Sequence, residues 1–315
     1  MAPLVSIITP SFNQAAFLET TLCSVLEQDY PNIEYLVVDG ASTDGSVEII
    51  KKYANRLAWW VSEKDKGQAE AINKGLARAK GEYVAWVNSD DHYFPGAVKA
   101  AVEVFTQHKE AALVYGDVAA IDASGNIFNR MTYGNWGLEG LMCFKIIGQP
   151  SVFLRRVALE KAGYLDMKYH FMLDTQLWLR VAQHGEMVYV PQVWSAARYH
   201  ADAKNVAQAP RFGEDAFVVY DWMQKEPGLQ ALLDKNRKKV LSGLYRFNAR
   251  YLLDGDKPKE ALRFYWKSLI NHAPSALVEW KRMAYCMAAL LGFSGIRRRY
   301  LEQREKQFQG THPKE

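Results

Sequence analysis

Cysteine is scarce in this chain, and long apolar runs are missing. The three cysteines, Cys23, Cys143 and Cys286, are odd in number and far apart, which argues against a disulfide framework and against a cysteine-based zinc site. No stretch reaches the roughly 18 uninterrupted apolar residues that a membrane-spanning helix needs. Residues 1–9 lack the basic and apolar regions of a signal peptide. These absences predict a cytoplasmic protein.

The net charge is also small, and three common motifs are absent from the sequence. The 39 Lys and Arg residues against 35 Asp and Glu residues leave a net charge of +4, too small to indicate a nucleic-acid partner. The sequence has no Gly-x-x-x-x-Gly-Lys-Ser/Thr loop, no Gly-x-Gly-x-x-Gly after its first apolar run and no Gly-x-Ser-x-Gly. These absences argue against a P-loop nucleotidase, a dinucleotide oxidoreductase and a serine hydrolase, respectively.

What is present in the first half is an alternation of strands and helices. Short β-branched apolar runs at residues 4–9, 33–38 and 83–87 predict strands, and helical periodicity fills the segments between them. Such an alternation is typical of βαβ units. It predicts an α/β fold, a doubly wound and mostly parallel sheet with helices on both faces.

The alternation breaks near residue 121, and from about residue 210 onwards the chain is almost wholly helical in pattern. We therefore predict a first domain over residues 1–210 and a helical C-terminal region over 211–315. Within the first domain, residues 1–118 form one half and residues 119–210 a more variable second half.

Polar residues follow three of the predicted strands. Residues 9–13, 39–44 and 88–91 supply hydroxyls, amides and carboxylates where ligands bind in open parallel sheets. Capping of the following helices is the simpler explanation for many of them. It does not explain Asp90 beside Asp91, because adjacent carboxylates repel unless a cation offsets their charge. The pattern predicts a metal-assisted diphosphate site.

Five segments together resemble a known family. They are Thr-Pro-Ser-Phe-Asn at 9–13, Val-Val-Asp-Gly-Ala-Ser-Thr-Asp-Gly-Ser at 37–46, Lys-Gly-Gln-Ala-Glu-Ala-Ile-Asn-Lys-Gly at 66–75, Gly-Glu-Tyr-Val-Ala-Trp-Val-Asn-Ser-Asp-Asp at 81–91, and Met-Leu-Asp-Thr-Gln-Leu-Trp-Leu-Arg at 172–180. In order and spacing they resemble the inverting glycosyltransferases of family 2. The resemblance implies the GT-A fold, with a nucleotide-sugar half followed by an acceptor half.

The resemblance also implies roles for individual residues. Asp39 would bind the nucleobase, and Asn88 stands where many members have the first aspartate of a D-x-D signature. The implied nucleotide-sugar contacts are Pro10, Ser11, Asp39, Lys66, Gln68, Asn88 and Asp90. The implied ligands of a Mn²⁺ or Mg²⁺ ion are Asp90, Asp91 and His200.

Asp174 occupies the position of the family's catalytic base, at the start of a predicted helix. It would take the proton of the acceptor hydroxyl, and the positive end of the helix dipole would favour its ionised form. Residues 149–151, Gln-Pro-Ser, are expected to shape the acceptor side of the cleft.

The function expected from this resemblance is metal-dependent transfer of one sugar, from a UDP-sugar to a hydroxyl of a glycan or lipid-linked acceptor, in cell-surface polysaccharide biosynthesis. Single addition is favoured because the Gln-x-x-Arg-Trp signature of processive synthases is missing. One alternative is a nucleotidyltransferase, although residues 9–14 lack basic side chains for a triphosphate. The other is a non-catalytic sugar-nucleotide-binding scaffold, which would not need a base such as Asp174.

The C-terminal region raises the question of membrane contact. An apolar segment at residues 283–296 is flanked by Lys281 and Arg282 and by Arg297, Arg298 and Arg299. Such a segment is typical of helices that lie at an anionic membrane surface, here the inner face of the membrane. A buried packing helix with a solvated basic turn is the alternative.

Overall fold

The computed structural model describes residues 2–200 and 203–292. The described part contains a nine-stranded sheet and twelve α-helices. The strands are β1 (Val5–Ser11), β2 (Ile33–Asp39), β3 (Trp59–Ser62), β4 (Tyr83–Trp86), β5 (His92–Tyr93), β6 (Ala111–Ile121), β7 (Ile127–Met131), β8 (Val152–Arg155) and β9 (Glu186–Arg198).

Helices separate the strands in the first half and follow one another at the end. They are α1 (Ala15–Leu26), α2 (Ser46–Tyr53), α3 (Gln68–Leu76), α4 (Ala97–Gln107), α5 (Gly137–Met142), α6 (Arg156–Ala162), α7 (Leu173–Val181), α8 (Lys204–Ala207), α9 (Ala209–Met223), α10 (Pro227–Asp254), α11 (Pro258–Leu277) and α12 (Trp280–Leu290). Among residues 2–200 and 203–292, no helix is long and apolar enough to cross a membrane.

The sheet has the strand order β3-β2-β1-β4-β8-β6-β9-β5, with β7 paired to β6. Strands β3, β2, β1 and β4 run parallel. Strand β8 is antiparallel to both of its neighbours, β9 is parallel to β6, and β5 is antiparallel to β9. The parallel βαβ arrangement is thus concentrated in the first half, where the alternation of patterns predicts it.

Successive strand residues enter cores on opposite sides of the sheet, because side chains alternate along a strand. Ile7 packs with Leu18 of α1 and Val98 of α4, whereas Ile8 packs with Ile72 of α3. Both isoleucines are fully buried. Helices α9 and α10 join the Ile8 side of the core.

Prolines begin two of the C-terminal helices and accompany a kink in one of them. Pro227 and Pro258 begin α10 and α11, where their missing N–H groups need no partner. Pro274 lies inside α11, and the backbone leaves helical geometry at His272, so the helix kinks there. A proline inside an otherwise helical pattern predicts a break of this kind.

Candidate active site

The candidate site lies where the strand order reverses. Strand β1 pairs with β2 on one side and with β4 on the other, so helices connect away from β1 in opposite directions. Such a switch point leaves a crevice beyond the carboxyl ends of the strands. Ser11 at the end of β1 lies beside Asp39 at the end of β2, and residues 88–91 follow β4.

Asp39 is fully buried, and its carboxylate is held by two serines. Its Oδ2 accepts from the Ser42 amide at 2.9 Å and from Ser62 Oγ at 2.6 Å, while its Oδ1 accepts from Ser42 Oγ at 2.5 Å. A carboxylate has about four acceptor positions, so capacity for one further donor remains.

The hydroxyl of Ser11 is buried and has no hydrogen-bond partner in the described part of the chain. Its neighbour Pro10 pairs in register with Val38 and contributes no amide hydrogen. Because nearly all buried polar groups are paired, an orphaned hydroxyl at this edge indicates a place where a ligand supplies the partner. The hydroxyl of Ser11 and the carboxylate of Asp39 therefore lie next to each other at the ends of β1 and β2, and Pro10 precedes Ser11 on β1.

Asn88 is the centre of an amide network at the end of β4. Its Oδ1 accepts from Gln68 Nε2 at 2.7 Å, and its Nδ2 donates to Gln149 Oε1 at 3.1 Å and to Asp91 Oδ2 at 3.2 Å. Gln149 in turn donates from Nε2 to the Trp86 carbonyl at 2.8 Å. Gln149 therefore links Asn88 to the end of β4. The sequence indicated only that residues 149–151 shape the acceptor side of the cleft.

Asp90 contacts His200 directly. Asp90 Oδ2 and His200 Nε2 are 3.1 Å apart, and the His200 ring lies 5.1 Å from the ring of Phe17. The two residues are 110 positions apart in the chain. They meet because β5, directly after Asp91, pairs with the end of β9.

Asp91 is buried and turned towards the protein rather than the crevice. Its Oδ1 accepts from the Arg198 amide at 2.9 Å, and its Oδ2 accepts from Asn88. Burial raises the pKa of Asp91 well above its ordinary value, and the charge of Asp90 raises it further. The hydrogen bonds from Arg198 and Asn88 act in the opposite direction.

The side chain of Arg198 holds the loops around these carboxylates. Its Nε donates to the Asp90 carbonyl at 2.9 Å, and its Nη1 donates to the carbonyls of Asp122 and Ala123. The guanidinium also lies 4.7 Å from the ring centroid of Phe17. Since backbone carbonyls take up its donors, Arg198 acts mainly as a clamp.

Asp174 lies in the first turn of α7 and is half-buried. Its Oδ1 accepts from the Thr175 amide at 2.6 Å and from Thr175 Oγ1 at 3.3 Å. Its Oδ2 makes no hydrogen bond to any described residue. Burial raises the pKa of Asp174, and the bonds from Thr175 partly oppose that rise. The expected helix N-terminus is present, but burial outweighs its effect on the carboxyl group.

Lys204 is the residue of this site that sequence reasoning missed. Its Nζ donates to Gln68 Oε1 at 2.8 Å and interacts electrostatically with both Asp90 and Asp174. Burial of the ammonium group lowers the pKa of Lys204, and the two carboxylates raise it. Its position four residues after His200 was the available signal. Lys66, expected to contact the nucleotide-sugar, is exposed, and its side chain makes no hydrogen bond or ion pair to these residues.

The family resemblance implies a divalent cation, and the described residues offer few ligands for one. No group of three or more His, Cys, Asp or Glu side chains suited to a metal occurs within residues 2–200 and 203–292. Mg²⁺ and Mn²⁺ ions that bridge substrate phosphates need only one or two protein ligands. The facing atoms of Asp90 and His200 meet that smaller requirement.

Comparison with solved structures identifies the fold. S. aureus TarS 1-349 in complex with UDP-GlcNAc gives a TM-score of 0.60 at 16% identity, covering 88% of this chain and 92% of that one. The mannosyltransferase PcManGT from Pyrobaculum calidifontis, in complex with GDP-Man and Mn²⁺, gives 0.61 at 21% identity, covering 92% and 87%. The predicted GT-A fold is confirmed.

Sequence comparison identifies the family. The profile described as "Glycosyl transferase family 2" matches residues 6–156. The "Putative teichuronic acid biosynthesis glycosyltransferase TuaG" of Bacillus subtilis is 31% identical over 193 residues, which are 59% of this chain and 75% of that protein. The "PGL/p-HBAD biosynthesis glycosyltransferase Rv2957" of Mycobacterium tuberculosis is 29% identical over 195 residues, 59% of this chain and 73% of that one. The match to three quarters of a 31% identical glycosyltransferase, with the same strand-end motifs inside the matched profile, shows that this chain belongs to glycosyltransferase family 2.

Proposed function

We propose that this glycosyltransferase moves a single sugar from a UDP-sugar to a hydroxyl of a glycan or lipid-linked acceptor, with inversion at the anomeric carbon. We place the reaction on the cytoplasmic side of the membrane, in the assembly of a cell-surface polysaccharide. Two relatives carry names that refer to the biosynthesis of teichuronic acid and of PGL/p-HBAD, which supports a cell-surface product.

One observation carries the proposal. Lys204 lies within electrostatic reach of both Asp90, the carboxylate on the expected diphosphate side, and Asp174, the expected base. A single side chain thus links the two halves of the reaction that an inverting transferase needs. A scaffold that only binds a nucleotide-sugar would have no use for a second, half-buried carboxylate that interacts with the same cation.

In the proposed reaction, Asp174 Oδ2 takes the proton of the acceptor hydroxyl. The acceptor oxygen forms a bond to the anomeric carbon from the side opposite the diphosphate. The bond from that carbon to the phosphate oxygen breaks, and its electron pair leaves with the nucleoside diphosphate. Because attack and departure are on opposite faces, the configuration inverts. The raised pKa of Asp174 makes it a stronger base than an exposed aspartate.

Lys204 and His200 are placed to stabilise the departing group. The nucleoside diphosphate gains negative charge as the bond breaks, and the Lys204 ammonium can leave Gln68 to neutralise it. Asp90 and His200 would hold a Mn²⁺ or Mg²⁺ ion, which offsets charge on the diphosphate when bound. The hydrogen bonds favour Asp90 over Asp91 as the carboxylate that faces the ion, because both oxygens of Asp91 already have partners.

Uridine is proposed as the nucleoside on the resemblance of the β1 and β2 ends to the family motifs. The structural relatives are divided on this point, since TarS was solved with UDP-GlcNAc and PcManGT with GDP-Man. At the base end, the free acceptor position of Asp39 suits a ring N–H, which uracil and guanine both offer.

The test is a thermal-shift screen of UDP, GDP, ADP and CDP, each with Mn²⁺ and with EDTA. We expect UDP with Mn²⁺ to raise the melting temperature by several degrees, since a ligand at about 100 times its Kd stabilises by about 2.7 kcal/mol. A larger shift with GDP would replace uridine by guanosine. A UDP shift that EDTA leaves unchanged would refute the metal, and no shift with any nucleotide would refute the donor class.

A further inference from the structure

Large apolar side chains are exposed along the last two described helices and at their C-terminal ends. Within the described residues, eight of the thirteen strongly exposed large apolar side chains lie between positions 266 and 291. They are Trp266, Ile270, Leu277, Val278, Trp280, Met287, Leu290 and Leu291. We call them the α11–α12 face. Trp266 is 64% exposed and Val278 75%. A concentration of this kind marks a contact with something other than water.

The opposite side of the same helices already holds the fold together. Tyr265 and Cys286 are fully buried in a small core with residues of α10. Ser268 bonds to Ser242 at 2.9 Å, and Tyr265 donates to Glu279 Oε2 at 2.7 Å. The α11–α12 face is therefore not needed for packing within the described part of the chain.

Charge points to one kind of occupant. Residues 258–315 contain eleven Lys and Arg but only five Asp and Glu, a net charge of +6. The whole chain has 39 and 35, so residues 1–257 have 28 and 30 and a net charge of −2. Of this +6, residues 258–292, which carry the apolar face, contribute +3 from five Lys and Arg against two Glu, and residues 293–315 contribute the other +3. A surface that is both apolar and anionic is complementary to residues 258–292.

Lysines follow two of the exposed tryptophans in sequence. The Nζ of Lys267, which follows Trp266, lies over neighbouring aromatic rings, 4.9 Å from the ring centroid of Phe264 and 5.7 Å from that of Tyr245. Lys281 follows Trp280, and its Nζ lies 5.9 Å from the Trp280 ring. Long basic side chains of this kind cover apolar surface with their stems and keep the charge at its edge. Tryptophan next to lysine is also the composition of helices that lie in a lipid–water interface.

We propose that the α11–α12 face docks on the surface of a bilayer that contains anionic lipids. Trp266, Ile270 and Trp280 enter the boundary of the acyl region, and the lysines contact phosphate headgroups. Docking brings the active site to acceptors anchored in the same bilayer. The sequence pattern placed such an interface at residues 283–296 with three following arginines. Residues 293–299 lie outside the described residues, and five of the eight exposed apolar side chains precede position 283.

The experiment is flotation of the full-length chain with vesicles, with no donor or acceptor present. We expect binding to vesicles of equimolar phosphatidylcholine and phosphatidylglycerol, and much weaker binding to phosphatidylcholine alone. Trp266→Ser with Ile270→Ser should weaken binding at least tenfold, as expected for two apolar side chains that lose a buried environment. The matched control is Ile127→Ser on β7, where the isoleucine is 61% exposed but lies outside the face, and binding should not change.

A second pair of variants tests the charge and does not alter the apolar surface. Lys267→Glu with Lys281→Glu should lower affinity for the anionic vesicles at least tenfold and leave the weak binding to phosphatidylcholine unchanged. Equal flotation of either double variant and the wild type would overturn the proposal. A different result of light scattering would overturn it as well. If the wild type were a dimer and the Trp266→Ser, Ile270→Ser variant a monomer, a second copy of the chain would cover the α11–α12 face. UDP-induced thermal shifts are measured in parallel, so failure of donor binding is distinguished from failure of docking.

Discussion

At the scale of single residues, the carboxylate of Asp174 shows how the fold prepares a base. One oxygen is fixed by two bonds from Thr175, and the other has no partner among the described residues. The fixed oxygen sets the orientation of the group, and the free oxygen can accept a proton. Burial then raises the pKa, so the carboxylate holds that proton more strongly than an exposed one would.

Asp174→Asn should separate chemistry from binding. An asparagine keeps the shape and can still accept the Thr175 amide bond, but it cannot take up a proton. We expect the transfer rate to fall by about 10²–10⁴-fold, the usual contribution of a positioned base. Nucleotide affinity, measured by calorimetry with UDP, should stay within about twofold. A matched loss of rate and affinity would contradict the role.

The Thr175 hydroxyl offers a way to shift the pH profile. Asp174 must be ionised to act as a base, so activity is lost as pH falls through its pKa. The Thr175 side-chain bond lowers that pKa. Thr175→Val removes this bond and keeps the shape and the amide bond. The acid limb of kcat/KM against pH should therefore move to higher pH. If the limb does not move, another group controls it.

Lys204→Met tests the cation on the diphosphate side. The comparison is the affinity for UDP relative to UMP, which isolates the contribution of the β-phosphate. We expect this ratio to fall about tenfold in Lys204→Met, in line with loss of one charge-assisted contact, and to be kept in Lys204→Arg. Lys238→Met is the matched control, because Lys238 is exposed on α10 and outside the site. An unchanged ratio in Lys204→Met would refute the assignment.

The sequence led to Asp90, Asn88 and Asp174 because each belongs to a local pattern, a strand end or a helix start. It could not lead to Lys204 in the same way. The partner of Lys204 is Gln68, 136 positions away, and only tertiary structure brings them together. The sequence also could not show that Asp90 and Asp91 have different surroundings. Asp91 is held by the backbone amide of Arg198 at the end of β9, which only the folded chain brings close to it.

At the scale of elements, local patterns located the strands and helices but not always their continuity. Two separate runs, at 187–190 and 193–198, have the sequence pattern of strands, with Pro191 and Gln192 between them. The structure keeps them as one strand because both parts pair with β6, and a register shift absorbs the interruption. Helix α10 likewise joins two segments of helical periodicity, at 229–233 and 240–253, because its polar middle is still helix-forming.

Two glycines of α10 should respond oppositely to the same substitution. A Cβ on Gly243 would lie 2.1 Å from the Cys143 carbonyl oxygen, a backbone atom that cannot turn away. Gly243→Ala should therefore destabilise by about 1–3 kcal/mol, despite the better helix propensity of alanine. A Cβ on Gly228 would meet only the end of the flexible Gln183 side chain, at 2.0 Å. Gly228→Ala should be neutral or slightly stabilising. Urea denaturation of both variants measures the difference, and equal losses would contradict the packing argument.

At the scale of the whole molecule, the sheet and the C-terminal helices share one core. The division at residue 210 stays a prediction, and it is a division of pattern rather than of packing. The cluster that contains Ile8 and Trp86 also contains side chains of α9 and α10. The sequence showed where the periodicity changes. It could not show that the apolar stripes on either side of the change face each other.

A chain that ends at residue 210 should therefore fail to fold. It would lose nine side chains of that shared core, namely Ala216, Val219, Tyr220, Met223, Leu229, Leu233, Val240, Leu244 and Phe247. Each large apolar side chain contributes about 1.5–3 kcal/mol when buried. For the eight larger ones the total is about 12–24 kcal/mol, comparable to or greater than the net stability of about 5–15 kcal/mol that proteins have. The exposed sheet surface should also promote aggregation.

A chain that ends at residue 257 is the control, because it keeps α9 and α10 and loses only α11, α12 and the segment after them. It should unfold cooperatively at a moderately lower temperature, retain the UDP thermal shift and no longer float with anionic vesicles. Cooperative unfolding of the 1–210 chain near the wild-type melting temperature would show instead that the sheet domain is complete without the helices.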